Sequence, residues 1–144
     1  MKTLVNKYFT LFFIGGTLYL LIELISRRGD THWTMGIVGG ICFVLIGMLN
    51  EFLPKSPFWL QALFGGVIVT IVELISGILI NLVFQLDVWD YSNEAYQILG
   101  QVCLPFSMLW CILSGFAIIL DGYLRYWLFG EDKPHYHFFR KNLL

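Results

Sequence analysis

Two glutamates lie inside apolar stretches of the chain, within a local sequence that occurs twice. Glu23 begins the sequence Glu-Leu-Ile-Ser after a Gly-Gly pair and six intervening residues, and Glu73 begins the same sequence after a second Gly-Gly pair at the same spacing. A carboxylate within a membrane-spanning helix costs about 2.5–3.5 kcal/mol on insertion scales, so it normally faces a protein interior or water. The two glutamates are therefore candidates for a proton-coupled carboxylate pair, a cation site, or a receptor for a cationic group of a substrate.

A structural role is the alternative for both glutamates. Each carboxylate would then hydrogen-bond across helices or pair with one of three arginines: Arg27, Arg28 or Arg125. Glu23 would in that case lie near the outer membrane interface. Both interpretations require that other parts of the chain shelter the carboxylates from lipid.

Polar and aromatic residues around the loop after the third apolar stretch form a second candidate group. Asn81 and Gln101 lie at or near membrane depth, where each amide needs a partner, and we add them to the candidate substrate- or ion-binding set. The loop motif Trp89-Asp90-Tyr91-Ser92 predicts a short interfacial helix capped by Asp90 or Ser92, with both aromatic rings at the headgroup level. A structural lid and a gate that recognises a cationic or polar ligand are both compatible with this motif.

The composition indicates that lipid surrounds the chain. Of the 144 residues, 58% are hydrophobic and 13% are charged, and the mean hydropathy is +0.73. A soluble domain would carry about a quarter charged residues. The basic residues are few and scattered, so we expect no nucleic-acid partner.

Chemical motifs are absent from the sequence. It contains no Gly-rich phosphate loop, no nucleophile elbow and no zinc-protease motif. His135 and His137 would supply only two metal ligands, which do not define a site. We therefore expect no catalytic residues, no metal and no cofactor.

The elements that would position these residues are transmembrane helices. Spanning the hydrocarbon takes about 20 helical residues, and the apolar stretches predict helices at about 5–26, 34–50, 58–84 and 98–121. No linker separates them, so we interpret residues 1–144 as a single membrane domain. The repeated motif predicts a four-helix bundle of two tandem two-helix repeats, at about 10–50 and 60–121, related by a pseudo-two-fold axis along the membrane normal.

The distribution of basic residues predicts the orientation. One side of the bundle would carry Lys2, Lys7, Lys55, Arg125, Lys133, Arg140 and Lys141, whereas the other would carry only Arg27 and Arg28. Positively charged loops face the cytoplasm. We therefore expect a multi-pass protein of the plasma membrane with both termini on the cytoplasmic side. The aromatic and basic tail, residues 134–141, is typical of an interfacial anchor.

Small residues predict where helices approach each other. Gly36 and Gly40 form a GxxxG pair in the second helix. In the predicted fourth helix small residues recur every four positions, at Cys103, Ser107, Cys111 and Gly115. Such spacing lets helix backbones pack closely in lipid. Packing within the chain is the simpler explanation, and a contact between two copies is the alternative.

Several motifs resemble one known family. The stretch Val88–Ser92, followed by Ile98–Ser107 and Trp110, is similar to small bacterial membrane proteins named ABC-transporter type IV permeases. Glu73-Leu74-Ile75 with Gly77, and the segment Asp121–Gly130, fit the same pattern. The resemblance implies a membrane-embedded permease-like fold and supplies no catalytic residues.

The partners follow from the resemblance and from what the sequence lacks. Because the chain has no Walker motif, it cannot itself hydrolyse ATP. It is also small for a permease, so a transport path would need a second copy or a partner membrane or ATPase subunit. The lipid bilayer itself is the remaining partner.

Three functions remain open. The leading hypothesis is a permease-like or transport-associated protein in which Glu23 and Glu73 line a polar interior site. The first alternative is a non-transporting scaffold or regulatory subunit that binds another membrane protein through its glycine and cysteine-serine faces. A lipid-modifying enzyme with Asp87, Asp90 and Glu94 as acids or metal ligands ranks last, because no nucleophile-base pair accompanies them.

Overall fold

The computed structural model describes residues 2–138, and most of them are helical. The helices are α1 (Lys2–Ser26), α2 (Thr34–Phe52), α3 (Phe58–Gly77) and α4 (Leu104–Phe129). A π-helical segment, Ile78–Val83, continues α3, and two short strands, β1 (Gln97–Ile98) and β2 (Val102–Cys103), precede α4. Four helices, counting α3 with its π-helical continuation as one, are long and apolar enough to cross a membrane, as predicted. Residues 139–144, with Arg140 and Lys141 of the predicted anchor, lie outside the described part.

The helices pack mainly as two antiparallel pairs, α1 with α2 and α3 with α4. Glycines allow the close approach in both pairs. A Cβ atom on Gly16 would overlap the carbonyl oxygen of Gly36, and a Cβ on Gly66 would overlap Cys111. Small residues at helix contacts let the backbones approach closely. Because lipid is as apolar as the helix surfaces, this close packing, and not the hydrophobic effect, holds the helices together.

The other predicted packing residues are also used within the chain. Gly40 faces Phe12 of α1, and Gly115 faces Phe58 of α3. The hydroxyl of Ser107 lies 2.9 Å from that of Thr70, which donates a hydrogen bond to it. The GxxxG pair and the small face of α4 therefore contact neighbouring helices of the same chain.

Polar contacts define the two ends of the bundle. The Tyr8 hydroxyl donates to Glu51 at 2.9 Å, and Lys7 lies 2.7 Å from Glu131, so the start of α1 meets the ends of α2 and α4. We call this end the terminal face. At the opposite end, Arg27 after α1 donates a 2.9 Å hydrogen bond to the carbonyl of Val88. This end carries the loop and the strands, and we call it the loop face.

The fourth helix differs from the predicted segment 98–121, since it begins at Leu104 and ends at Phe129. Before it, β1 and β2 form an antiparallel hairpin in which Ile98 pairs with Val102. Leu99 and Gly100 in the turn have positive φ angles, which a right-handed helix excludes. Pro105 lies in the first turn of α4, where a missing N–H is tolerated. Cys103 is therefore buried in β2 and does not belong to the small face of α4.

The prediction of an interfacial helix at the Trp89-Asp90-Tyr91-Ser92 motif is also wrong. Gln85 and Asp87 just before it have φ angles of 54° and 49°, which end the helical path. Asp90 instead accepts a 2.9 Å hydrogen bond from the Ser92 amide in an exposed turn. The Trp89 side chain is buried in the protein.

Candidate functional site

Glu73 is a buried carboxylate held by two neutral donors. It lies about one turn before the end of α3, and its side chain is 5% exposed. The indole nitrogen of Trp110 on α4 donates to Oε2 at 3.0 Å, and the Tyr91 hydroxyl donates to Oε1 at 3.1 Å. Within residues 2–138, no lysine, arginine or histidine forms an ion pair with it. Glu73 is therefore a buried acid that has two hydrogen-bond donors but no counter-ion among these residues.

Tyr91 is positioned for this contact by the loop and by the start of α4. Its ring stacks on Phe106, with centroids 4.8 Å apart, and its amide donates to the carbonyl of Gly100 at 2.7 Å. Burial, together with the negative charge of Glu73, raises the pKa of the Tyr91 hydroxyl above its ordinary value. The hydroxyl therefore stays protonated and remains a donor.

Glu23 has a different environment at the same end of the bundle. Arg27, directly after the end of α1, lies 3.4 Å from its carboxylate, and the Tyr19 hydroxyl lies 3.2 Å away. The Tyr19 ring in turn lies 6.1 Å from the ring of Trp110, measured between centroids. The two glutamates are thus linked through two aromatic residues. The pairing with arginine that we considered as the structural alternative occurs at Glu23 and not at Glu73.

Asn81 and Gln101 form a separate network. The amide nitrogen of Asn81, in the π-helical segment, donates to Oε1 of Gln101 at 2.7 Å, and its oxygen accepts from the Val88 amide at 2.8 Å. The Trp89 indole donates to the Gln101 carbonyl at 3.0 Å. Gly77 leaves room for the Gln101 side chain. These amides hold the loop against α3, and they share no hydrogen bond with Glu73.

An apolar cavity of about 420 Å³ lies beside Glu73, and all four helices contribute to its wall. Among the described residues that form this wall, Glu73 is the only charged one, and the wall is otherwise almost entirely apolar. Leu18 and Ile22 of α1 and Phe116 of α4 line it and are 38%, 51% and 67% exposed. Because α1 and α4 touch each other little, the cavity opens between them. We call it the membrane groove.

A second polar cluster, at the terminal face, joins four parts of the chain. Arg125 contacts Glu51 of α2 and lies 2.8 Å from Asp121, four residues earlier on α4. Lys7 of α1 contacts Glu131 beyond α4. Asp121 and Arg125 are 3% and 5% exposed, so this ion pair is buried, whereas Glu51 is exposed at the end of α2.

The sequence analysis missed several of these residues. Tyr19, which approaches Glu23, was not singled out, and neither was Ser114, whose buried hydroxyl has no partner among the described residues. Trp110 entered only through the family resemblance and not as a partner of Glu73. A pattern on α4 could have revealed the interior side of that helix. Trp110, Ser114, Asp121 and Arg125 are separated by four, seven and four residues, which places them on one helical face.

The residues of the lipid-enzyme hypothesis are not assembled. Asp87, Asp90 and Glu94 are exposed. Among residues 2–138, no three His, Cys, Asp or Glu side chains are grouped so that they could hold a metal ion.

Four long apolar helices around a buried carboxylate define a multi-pass helical membrane protein. The chain belongs to the family described as "Putative ABC-transporter type IV", whose sequence model matches residues 10–128. This match confirms the resemblance drawn from the loop and helix motifs. The comparisons with curated proteins and with solved structures gave no match.

Proposed function

We propose that this chain is a permease-like component of a transport system in the plasma membrane, with Glu73 and Glu23 in its interior site. One observation carries the proposal: Glu73 is a buried carboxylate at the wall of the membrane groove, and it has no counter-ion within residues 2–138. The role is transport rather than catalysis, in keeping with the family to which the chain belongs.

The energetic argument concerns the charge on Glu73. Placing a carboxylate at membrane depth costs about 2.5–3.5 kcal/mol. Pairing the carboxylate with a cation, or replacing it with a neutral amide, would reduce this cost. Glu23 has Arg27 as such a partner, whereas Glu73 has only the neutral donors Trp110 and Tyr91. A carboxylate left without a fixed positive charge is suited to bind a mobile one, namely a proton or the cationic group of a substrate.

The assembly and orientation are part of the same proposal. The excess of basic residues supports a cytoplasmic terminal face. A tandem repeat with a pseudo-two-fold axis is supported by the positions of the two Gly-Gly pairs, each of which faces the partner helix of its own pair. A second copy or an ATPase subunit would complete the transport path.

The scaffold alternative requires free packing faces. Gly36 and Gly40 contact α1, and Ser107, Cys111 and Gly115 contact α3, so these surfaces are occupied within the chain. A scaffold would have to bind its partner through other residues. We therefore favour transport.

The test compares cells that express the wild-type protein, Glu73→Gln or Glu94→Gln at equal levels. Mass spectrometry of cell extracts and medium then compares all detectable solutes. We expect at least one solute to differ between wild type and Glu73→Gln, because the charge that binds the substrate is lost. Glu94→Gln, the same change in an exposed loop residue, should match wild type.

Adding Glu23→Gln to Glu73→Gln should abolish any residual effect on that solute. Folding of each variant is checked by circular dichroism and size-exclusion chromatography in detergent. Identical solute profiles for folded wild type and Glu73→Gln would contradict the proposal.

A further inference from the structure

The membrane groove and Glu73 together indicate a class of ligand. We propose that the groove binds a lipid-soluble, monovalent organic cation that enters sideways from the bilayer, with its apolar body in the groove and its positive charge against Glu73. This inference rests on the proposed function, and it specifies the substrate class of the same site.

The wall of the groove determines the body of the ligand. Its volume of about 420 Å³ falls within the range of about 300–1,000 Å³ that is typical of small-molecule sites. Most side chains around it are aliphatic or aromatic, including Val38, Phe43 and Leu120. Such a wall offers few hydrogen bonds, so a sugar, a nucleotide or a free amino acid would lose its hydration without replacement. The apolar body of a ligand does not pay this cost of lost hydration.

The position of the opening determines the route of entry. Leu18, Ile22 and Phe116 flank the opening and are exposed on the apolar surface that faces lipid. A ligand that enters between α1 and α4 therefore comes from the bilayer. It must partition into lipid before it binds.

Charge complementarity determines the sign of the ligand. Within the part of the chain that the structure describes, Glu73 supplies the only charged group in the wall of the groove. Tyr19 and Trp110 line the same cavity, and the faces of aromatic rings also attract cations. A carboxylate repels an anion, and a neutral lipid chain would gain nothing from it. These groups together favour one positive charge on an apolar molecule.

A transmembrane helix from a second copy is a poorer occupant. It would have to present a positive charge at the depth of Glu73. Of the basic residues inside the described helices, Lys2 and Lys7 lie in the first turns of α1, at the terminal face, and Arg125 is paired with Glu51 and Asp121. Within residues 2–138, Arg27, Arg28, Lys55 and Lys133 lie outside the helices. A helix of a second copy would therefore have no free basic residue in its middle turns to place against Glu73.

The experiment uses the full chain in lipid nanodiscs and radiolabelled tetraphenylphosphonium, an apolar cation. Tetraphenylborate has the same shape and the opposite charge, so the pair separates charge from apolar fit. We expect saturable binding of the cation to wild type and to Glu94→Gln. Binding to Glu73→Gln should be weaker by about tenfold or more, since one partner of a desolvated charge pair is lost. Tetraphenylborate should bind no better than to empty nanodiscs.

A second variant tests the groove without changing the charge. Ala117 lines the groove and is half-buried, so Ala117→Phe fills part of the space. We expect this variant to lose cation binding while it keeps the thermal unfolding midpoint of wild type. Loss of binding by Glu73→Gln alone, with Ala117→Phe unaffected, would show that the groove is not the site and would overturn the proposal.

The remaining outcomes also decide the question. Equal binding of the cation to wild type and Glu73→Gln, or equal binding of both ions to wild type, would indicate an uncharged apolar site that lipid chains fill, and would overturn the proposal. If the cation does not bind but the solute profile of cells still depends on Glu73, the ligand class is wrong and the proposed function stands. If the cation binds and the solute profile does not depend on Glu73, the proposed transport function fails instead.

Discussion

The indole nitrogen of Trp110 donates a 3.0 Å hydrogen bond to Oε2 of Glu73, and both side chains are buried. This bond joins α4 to α3 at the wall of the membrane groove. The same indole ring lies beside Tyr19, through which α1 reaches Glu23. One aromatic residue of α4 thus lies against both α3 and α1 at the point where the interior acid lies.

Trp110→Phe tests this bond. An aromatic ring remains, but the N–H donor and part of the indole volume are lost. Loss of the donor alone should lower the free energy of unfolding in detergent by about 1–3 kcal/mol, the cost of an unsatisfied buried acceptor. Trp127→Phe, the same change at a residue that is 66% exposed, should have little effect. Repeating Trp110→Phe in the Glu73→Gln background isolates the bond from packing, and an unchanged loss there would show that packing alone accounts for the effect.

The glycine contacts predict a difference between two identical substitutions. Gly16→Ala places a methyl group against the backbone of Gly36, which cannot move aside without shifting α2. Gly115→Ala places it 3.3 Å from the end of the Phe58 ring, which can shift slightly. We therefore expect Gly16→Ala to lower the thermal unfolding midpoint clearly and Gly115→Ala to change it little. Equal midpoints would contradict the close approach of α1 and α2.

Arg125→Gln tests the cluster at the terminal face. Removing this buried guanidinium leaves Asp121 without its partner, and breaking a buried pair costs about 3–5 kcal/mol. We expect a large loss of stability in chemical unfolding. Arg28→Gln, the matched change at an exposed arginine, should be close to neutral. A small effect of Arg125→Gln would indicate that water already satisfies these groups.

Asn81→Leu tests how the loop is held. The variant removes the donor to Gln101 and the acceptor for the Val88 amide, so the segment between the π-helical turn and β1 should open more often. Hydrogen exchange followed by mass spectrometry should show faster exchange of peptides that contain Val88. Asn93→Leu, in the exposed loop, serves as the control, and equal protection in both variants would argue against the anchor.

Tyr136 predicts a response to alkaline pH. Its hydroxyl donates to the Ile118 carbonyl at 3.2 Å, and burial together with the charge of Asp121 raises its pKa to about 12. Because the unfolded value is about 10, the stabilisation is complete below about pH 10 and is lost as the pH rises through the raised pKa. Limited proteolysis should therefore cut the segment after α4 faster between these values. Tyr136→Phe, which cannot titrate, should not show that pH dependence.

The sequence alone indicated that lipid surrounds the chain, that the fold is helical and roughly where the membrane-spanning helices lie. Hydropathy and segment length are local properties, so the apolar stretches indicated four spanning helices without knowledge of their neighbours. The family resemblance also rested on local motifs. The predicted fourth helix began too early, because short apolar runs such as the one around Ile98 and Val102 occur in helices and in strands alike. Only the pairing of these two residues in the hairpin identifies them as strand residues.

The contrast between the two glutamates was decided by the tertiary structure. Both lie in the same Glu-Leu-Ile-Ser sequence, and the sequence also places Arg27 four residues after Glu23. The partners of Glu73, by contrast, are Tyr91 and Trp110, which come from a loop and from another helix. No local pattern specifies which helices become neighbours, because that choice depends on how closely backbones pack across glycines far apart in the chain. The groove beside Glu73 exists only through that packing.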